Sequence, residues 1–293
     1  MKILILGASG FVGRNLKEYF ENKYDLHTPS SSELNMLDDD AVAKYIKSHS
    51  FDLVLNALDR RTVIKTPADS AVYVTERLRM FENISSLNDY YGCMLYFGSG
   101  AEYCKSRPLK FIKEDQFGRV VPKDPYGFLM YTMQKLAFSK KNITNFRLFG
   151  IFGPYEAYKR RFISNAICKV LCGYPITIRQ NAIFDYLHTD DLCKMTEFYI
   201  KTPMQQQAYN ATSGKRYELN ALAQIIINII GNEVPILIAN PGFKDEYSAS
   251  NELYLQEDKR FTVECIQAQI KHLVDYYKAM KNQIDREALL YNS

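Results

Sequence analysis

The 293-residue chain contains no apolar run approaching the roughly 20 residues that a membrane span requires. Its N-terminus, Met1-Lys2-Ile3-Leu4-Ile5-Leu6-Gly7, is too short for a secretory signal and has no small-residue cleavage site. It reads instead as a buried first strand, and the protein as cytoplasmic. A polybasic stripe is missing too. The formal net charge is only +4 and the one dense cationic cluster is Lys159-Arg160-Arg161, so nothing points to nucleic acid or a membrane as a partner. The six cysteines include no Cys-x-x-Cys pair; Cys168 and Cys172 lie one helical turn apart without a matching second pair. With only four histidines, none near them in sequence, no metal site is expected and the cysteines read as free thiols in a reducing compartment.

What is present is ordinary for a globular protein: 47% hydrophobic and 24% charged residues. The length suits a nucleotide-binding domain with a smaller appended lobe. Over the first 150 residues, short β-rich runs (3–6, 25–28, 53–56, 94–97 and 144–149) alternate with amphipathic ones (11–22, 39–48, 68–90 and 126–140). That alternation predicts right-handed βαβ crossovers and an α/β fold with a Rossmann-type, doubly wound parallel sheet. Continuous apolar runs such as Ile3-Leu4-Ile5-Leu6 fit strands buried on both faces. After Pro154 the pattern changes. A strand at 176–178, helices at 189–200 and 219–230, and a long amphipathic segment at 262–285 imply a smaller C-terminal α/β substrate lobe. The expected division is 1–153 and 154–293, with some later segments returning to the first domain.

Gly7-Ala8-Ser9-Gly10-Phe11-Val12-Gly13 follows a predicted strand and opens a predicted helix. Glycines there allow a tight turn, let backbone N–H groups approach a pyrophosphate at the helix N-terminus, and let the helix pack close to the sheet. In this Gly-x-x-Gly-x-x-Gly spacing the chain resembles the extended short-chain dehydrogenase/reductase family, which includes sugar-nucleotide epimerases, dehydratases and ketoreductases. The resemblance implies a bound NAD or NADP held by Gly7, Ser9, Gly10, Phe11, Val12, Gly13 and Arg14. At the end of the second strand, Thr28-Pro29-Ser30-Ser31-Ser32 lacks the carboxylate that selects NAD through the ribose 2′-OH. Ser30 and Ser31, with Arg14, suit a 2′-phosphate and lean toward NADP. Asp38 matches the family's aspartate near the adenine; its other reading is an exposed helix N-cap.

Tyr96-Phe97-Gly98-Ser99-Gly100-Ala101-Glu102-Tyr103 resembles the strand end carrying the family's catalytic serine, which would be Ser99. Asp124-Pro125-Tyr126-Gly127 resembles the entry to its catalytic tyrosine, making Tyr126 both a proton-exchanging and a cofactor-contacting residue. A free phenol titrates near 10, and the family lowers it with a lysine four residues on, which shares a helix face with the tyrosine. Here that position is Met130. Three arrangements are compatible with these residues. Tyr126 is the catalytic tyrosine and its lysine has been lost; Tyr131 and Lys135, which also fit Tyr-x-x-x-Lys, form the pair; or the chain binds dinucleotide without turnover. Five residues rotate a helix face by about 140°, so the first two place different side chains at the site.

Arg147-Leu148-Phe149-Gly150-Ile151-Phe152-Gly153-Pro154 and the segment Ile183 to Asp191 resemble the family's links to the substrate lobe, with Gly150 in place of an asparagine and Phe184 in place of an arginine. Arg160, Arg161 and Arg179 are the candidates to supply the missing charge to a diphosphate. The other reading of Lys159-Arg160-Arg161 is a solvated helix start. The matches run from Met1 to about Asp191, with a looser echo at Glu246 to Asn251. Residues 31–38 are similar to the corresponding segment of GDP-fucose synthase-type 4-ketoreductases, whose epimerising cysteine is Ala101 here, a substrate-side position. No histidine lies between His49 and His188, which disfavours cysteine–histidine epimerisation. The resemblance implies a nucleotide-sugar oxidoreductase or epimerase of surface-polysaccharide synthesis, homodimeric through helices 68–90 and 126–140. A degenerate, cofactor-binding scaffold and a reductase of non-nucleotide carbonyls are the alternatives.

Overall fold

The structure, a computed structural model, describes residues 1–59 and 66–290. We number only the six strands of its central sheet: β1 (Lys2–Leu6), β2 (Asp25–His27), β3 (Leu53–Asn56), β4 (Cys93–Ser99), β5 (Ile143–Leu148) and β6 (Ala208–Ala211). They run in the order β2-β1-β3-β4-β5-β6, every neighbouring pair parallel. Alternation along β1 shows how the sheet is covered. Leu4 and Leu6 face a core that includes residues of α2 (Asp39–His49), α3 (Pro67–Ser85) and α4 (Pro125–Ala137). Ile3 and Ile5 face the opposite core, with α1 (Phe11–Phe20) and the helix Thr189–Lys201. Strands buried on both faces explain the unbroken apolar run at the N-terminus.

The sequence misses β6 because Ala208-Tyr209-Asn210-Ala211 is short and half polar, yet all four residues are buried against β5. Two helices are shorter than periodicity suggests. The predicted 68–90 helix ends at Ser85, before a 3₁₀ turn at Asn88–Tyr90, and the predicted 262–285 helix is regular only over Ile266–Ala279. Runs of serine and asparagine at the first end, and Met280-Lys281-Asn282 at the second, offer the backbone alternative hydrogen bonds. A further apolar core joins helices Phe162–Cys172, Leu219–Ile230 and Ile266–Ala279 to the strand Ile176–Asn181. Among the described residues no helix is long and apolar enough to cross a membrane, and no cluster of histidine, cysteine and carboxylate is arranged to hold a metal.

Candidate active site

Strand order reverses at β1, with β2 on one side and β3 on the other, so the crevice at their carboxyl ends is where an open α/β sheet binds ligands. The glycine turn sits there. Gly7 has φ +79°, and a Cβ on it would strike the Ala57 carbonyl; a Cβ on Gly13 would strike the carbonyl of Gly7. Gly10 is the N-cap of α1, with no side-chain cap and no acidic residue in the first turn, so the leading N–H groups are left for a ligand. Ser9 lies within this turn, and Gly10, Phe11 and Val12 line a cavity of about 620 Å³. A tight, side-chain-free, electropositive helix start fits a dinucleotide's pyrophosphate.

On the adenosine side the expected groups have other partners. The Ser30 N–H and hydroxyl both donate to the Glu33 carboxylate at 2.8 Å, and those bonds hold that carboxyl below its ordinary value. Ser31 is exposed. The Arg14 guanidinium stacks 3.8 Å from the Tyr155 ring centroid and bonds Glu18 at 3.3 Å. These side chains give no preference for NADP over NAD. Asp38 accepts from the Ala41 N–H at 2.9 Å and is the N-cap of α2.

The carboxyl end of β4 carries Ser99 into the same cavity, where it meets Tyr126. Asp124 caps α4, accepting from Gly127 at 2.8 Å, and Pro125 pre-sets the first turn. That entry fixes the direction of Tyr126. The residue is 40% exposed and shares the cavity wall with Ser99. Burial raises its pKa above the ordinary phenol value. Ser99 and the guanidinium groups of Arg77 and Arg161 pull it back, while Asp59 pushes it up. Met130 also lines the cavity, buried beside Tyr73, Leu129 and Met133. Tyr131 stacks on Phe117 instead, ring centroids 5.0 Å apart, and Lys135 is exposed; neither lines the cavity. The structure therefore brings together Ser99, Tyr126 and Met130, not Tyr131 and Lys135.

Beneath Ser99 lies a buried polar network. The Glu102 carboxylate accepts from the Ser99 N–H at 3.2 Å, from Asn145 at 2.9 Å and from Arg147 Nε at 2.7 Å. Arg147 also donates to the Tyr103 hydroxyl at 2.9 Å and to Gln134 at 3.3 Å. These contacts tie β4, β5 and α4 together under Ser99 and Tyr126. Ala101 is wholly buried, its N–H donating to Ser99 Oγ at 3.2 Å, and does not line the cavity.

Arg160 and Arg161 also line the cavity, with Phe184 at the position where the resemblance implied an arginine. Lys159 is turned away into an exposed ion pair with Asp285 at 2.6 Å. Arg179 is exposed on the strand Ile176–Asn181 and does not line the cavity. Three further cavity residues matter here that the sequence reading did not single out as site residues. Tyr247 lines the cavity from the strand Tyr247–Ala249, its hydroxyl close to Gly100. Arg107 also lines it, with Nε and Nη2 buried and unpartnered among the described residues. The third is Arg77, which shares the buried stripe of α3 with Tyr73 and Phe81. An arginine at a 3.6-period core position was the available signal for it.

Comparison with known proteins agrees with this geometry. Residues 3–212 match the model of the NAD dependent epimerase/dehydratase family. The GDP-L-colitose synthase of Yersinia pseudotuberculosis is 23% identical over 256 residues, 79% of this chain and 82% of that protein. A GDP-D-glycero-L-gluco-heptose synthase from Campylobacter jejuni, solved with NADPH, has a similar fold at TM-score 0.82 and 16% identity, covering 94% of this chain and 98% of the other. The UDP-glucose 4-epimerase of Thermotoga maritima is similar at TM-score 0.80 and 16% identity, covering 96% and 99%. A family match across most of the chain, on a sheet whose switch point carries the glycine turn, makes this protein a member of the NAD dependent epimerase/dehydratase family.

Proposed function

We propose that the protein is an NAD(P)-dependent oxidoreductase or epimerase acting at a sugar carbon, C4, of a nucleotide-linked sugar in surface-polysaccharide synthesis. The observation that carries this is one cavity holding an uncapped helix N-terminus, Ser99 and Tyr126 side by side in its lining, and the guanidinium groups of Arg160 and Arg161. Gly7, Ser9, Gly10, Phe11, Val12 and Gly13 hold the pyrophosphate; when bound, the nicotinamide supplies or accepts the hydride. Ser99 donates to the sugar oxygen and polarises its carbon. In the reducing direction the Tyr126 O–H proton passes to that oxygen, and the phenolate left behind is reprotonated from water. Arg160, Arg161 and Arg107 meet the diphosphate, for which forked, permanently charged donors are suited.

Relatives named for GDP- and UDP-linked sugars support the substrate class. The test is loss of reduced-nicotinamide absorbance with 4-keto sugars linked to GDP, UDP, CDP or dTDP. Turnover should fall about 10²–10⁴-fold in Tyr126→Phe. Tight dinucleotide binding without hydride exchange on any of them would favour the scaffold alternative. We also propose a homodimer through α3 and α4, where Val72 and Phe128 are exposed at 48% and 49%. Light scattering that finds only monomer removes that claim.

A further inference from the structure

Arg77 is 3% exposed and lines the cavity with Ser99, Tyr126 and Met130. Its Nε lies 3.8 Å from Asp59 Oδ1, too far for a hydrogen bond. That oxygen accepts the Tyr73 hydroxyl at 2.9 Å instead, and the Asp59 side chain is 74% exposed. Neither Nε nor Nη1 of Arg77 has a hydrogen-bond partner among the described residues. A guanidinium does not escape by losing its proton, so a buried one without partners is heavily penalised unless a ligand completes it.

The position of this charge is informative. α3 packs on α4, and Met130 is buried among side chains that include Tyr73, one turn before Arg77 on α3. The cation absent from α4 is thus present on the neighbouring helix. We propose that Arg77 is the working cation of this site: its fork donates to the ribose hydroxyls on the nicotinamide side of the bound dinucleotide, and its charge poises Tyr126 for proton exchange. The proposal rests on the role of Tyr126 given above. It also gives Met130 a reason, because a lysine there would set a second desolvated cation beside Arg77, whereas a thioether fills the same space without charge.

The Tyr126 phenol is faced by Ser99 at the end of β4, Asp59 after β3, Tyr73 and Arg77 on α3, Arg161 before the helix Phe162–Cys172, and Tyr247. Of the two cations in that set, Arg161 is exposed and Arg77 is buried. A charge excluded from water acts more strongly on a neighbouring phenol than one that water screens.

The test uses the full chain saturated with oxidised dinucleotide and carrying ¹³Cζ-tyrosine, the Tyr126 resonance being identified by its loss in Tyr126→Phe. Two quantities are read: the pH midpoint of that resonance and the dinucleotide affinity, from the fluorescence of the reduced form. Arg77→Met should raise the midpoint by about one unit and weaken binding about tenfold. Arg77→Lys should keep most of both. The double variant Arg77→Met/Met130→Lys, which returns the charge to α4, should restore both, an outcome that a merely structural arginine does not predict. A folded Arg77→Met with unchanged midpoint and affinity overturns the proposal. If Arg77→Met does not fold, a double variant that folds with its midpoint still raised overturns it equally. A parent protein that binds no dinucleotide sinks the proposed function itself; a parent that binds it, with Arg77 variants indistinguishable from it, sinks only the assignment of Arg77.

Discussion

Arg147 and Arg77 are buried almost alike, at 1% and 3% exposure, and their surroundings are opposite. Arg147 bonds Glu102, Tyr103 and Gln134. Among the described residues Arg77 has two nitrogens without a hydrogen-bond partner and a carboxylate at 3.8 Å. A buried ion pair with its hydrogen bonds completed holds neighbouring elements in one arrangement, whereas a buried cation left incomplete is a vacancy for an anion or a hydroxyl. Arg147 therefore belongs to the scaffold beneath Ser99, and Arg77 to the ligand.

The sharpest way to break this contrast is stability. Arg147→Met strands the Glu102 carboxylate, which is 0% exposed, and should cost about 3–5 kcal/mol, read from denaturant midpoints. A loss under about 1 kcal/mol would mean that the network does not hold the fold together.

Glu156 is an intermediate case: a buried carboxyl in the same cavity, bonded to Ser164. Burial pushes it from 4.5 up to about 7, against the lowering effects of Ser164 and Arg161. The native state thus keeps a proton that the unfolded chain releases, so stability is fullest below pH 4.5 and declines as pH rises toward 7. Glu156→Gln keeps the shape without the titration. It should match the parent in acid and exceed it by roughly 2–4 kcal/mol at pH 8. Parallel stability curves would contradict that.

The smallest expected effect is that of Arg77→Met without dinucleotide, a change within about 1 kcal/mol and on the stabilising side, because an unpaired charge is replaced by an apolar chain of similar length. Adding dinucleotide should then raise the melting temperature less than it does for the parent. A loss comparable to that of Arg147→Met would place Arg77 with the scaffold.

Much of the fold was legible because its signals are local. The apolar run 3–6, the glycine turn and the strand–helix alternation each depend on neighbours in sequence, and Ser99 and Tyr126, which line one cavity, were singled out through their immediate context. The groups around them are not local. Glu102 and Arg147 meet across 45 residues, and Tyr247 reaches the cavity from a strand that only tertiary pairing places there. Ser30 and Arg14 look like phosphate ligands in sequence, yet each finds an acid three or four residues away, Glu33 and Glu18, where a helix or turn makes contact inevitable. Arg179 shows the converse limit: an arginine in the right stretch of chain, carried to an exposed strand position outside the cavity.

The most direct test is transfer of deuterium from a reduced dinucleotide labelled at nicotinamide C4 to a 4-keto nucleotide sugar, followed by mass spectrometry and NMR of the sugar. Deuterium bound to sugar C4 with the parent, and almost none with Tyr126→Phe, is the predicted result. A parent protein that binds dinucleotide and nucleotide sugar together yet transfers no deuterium would contradict it.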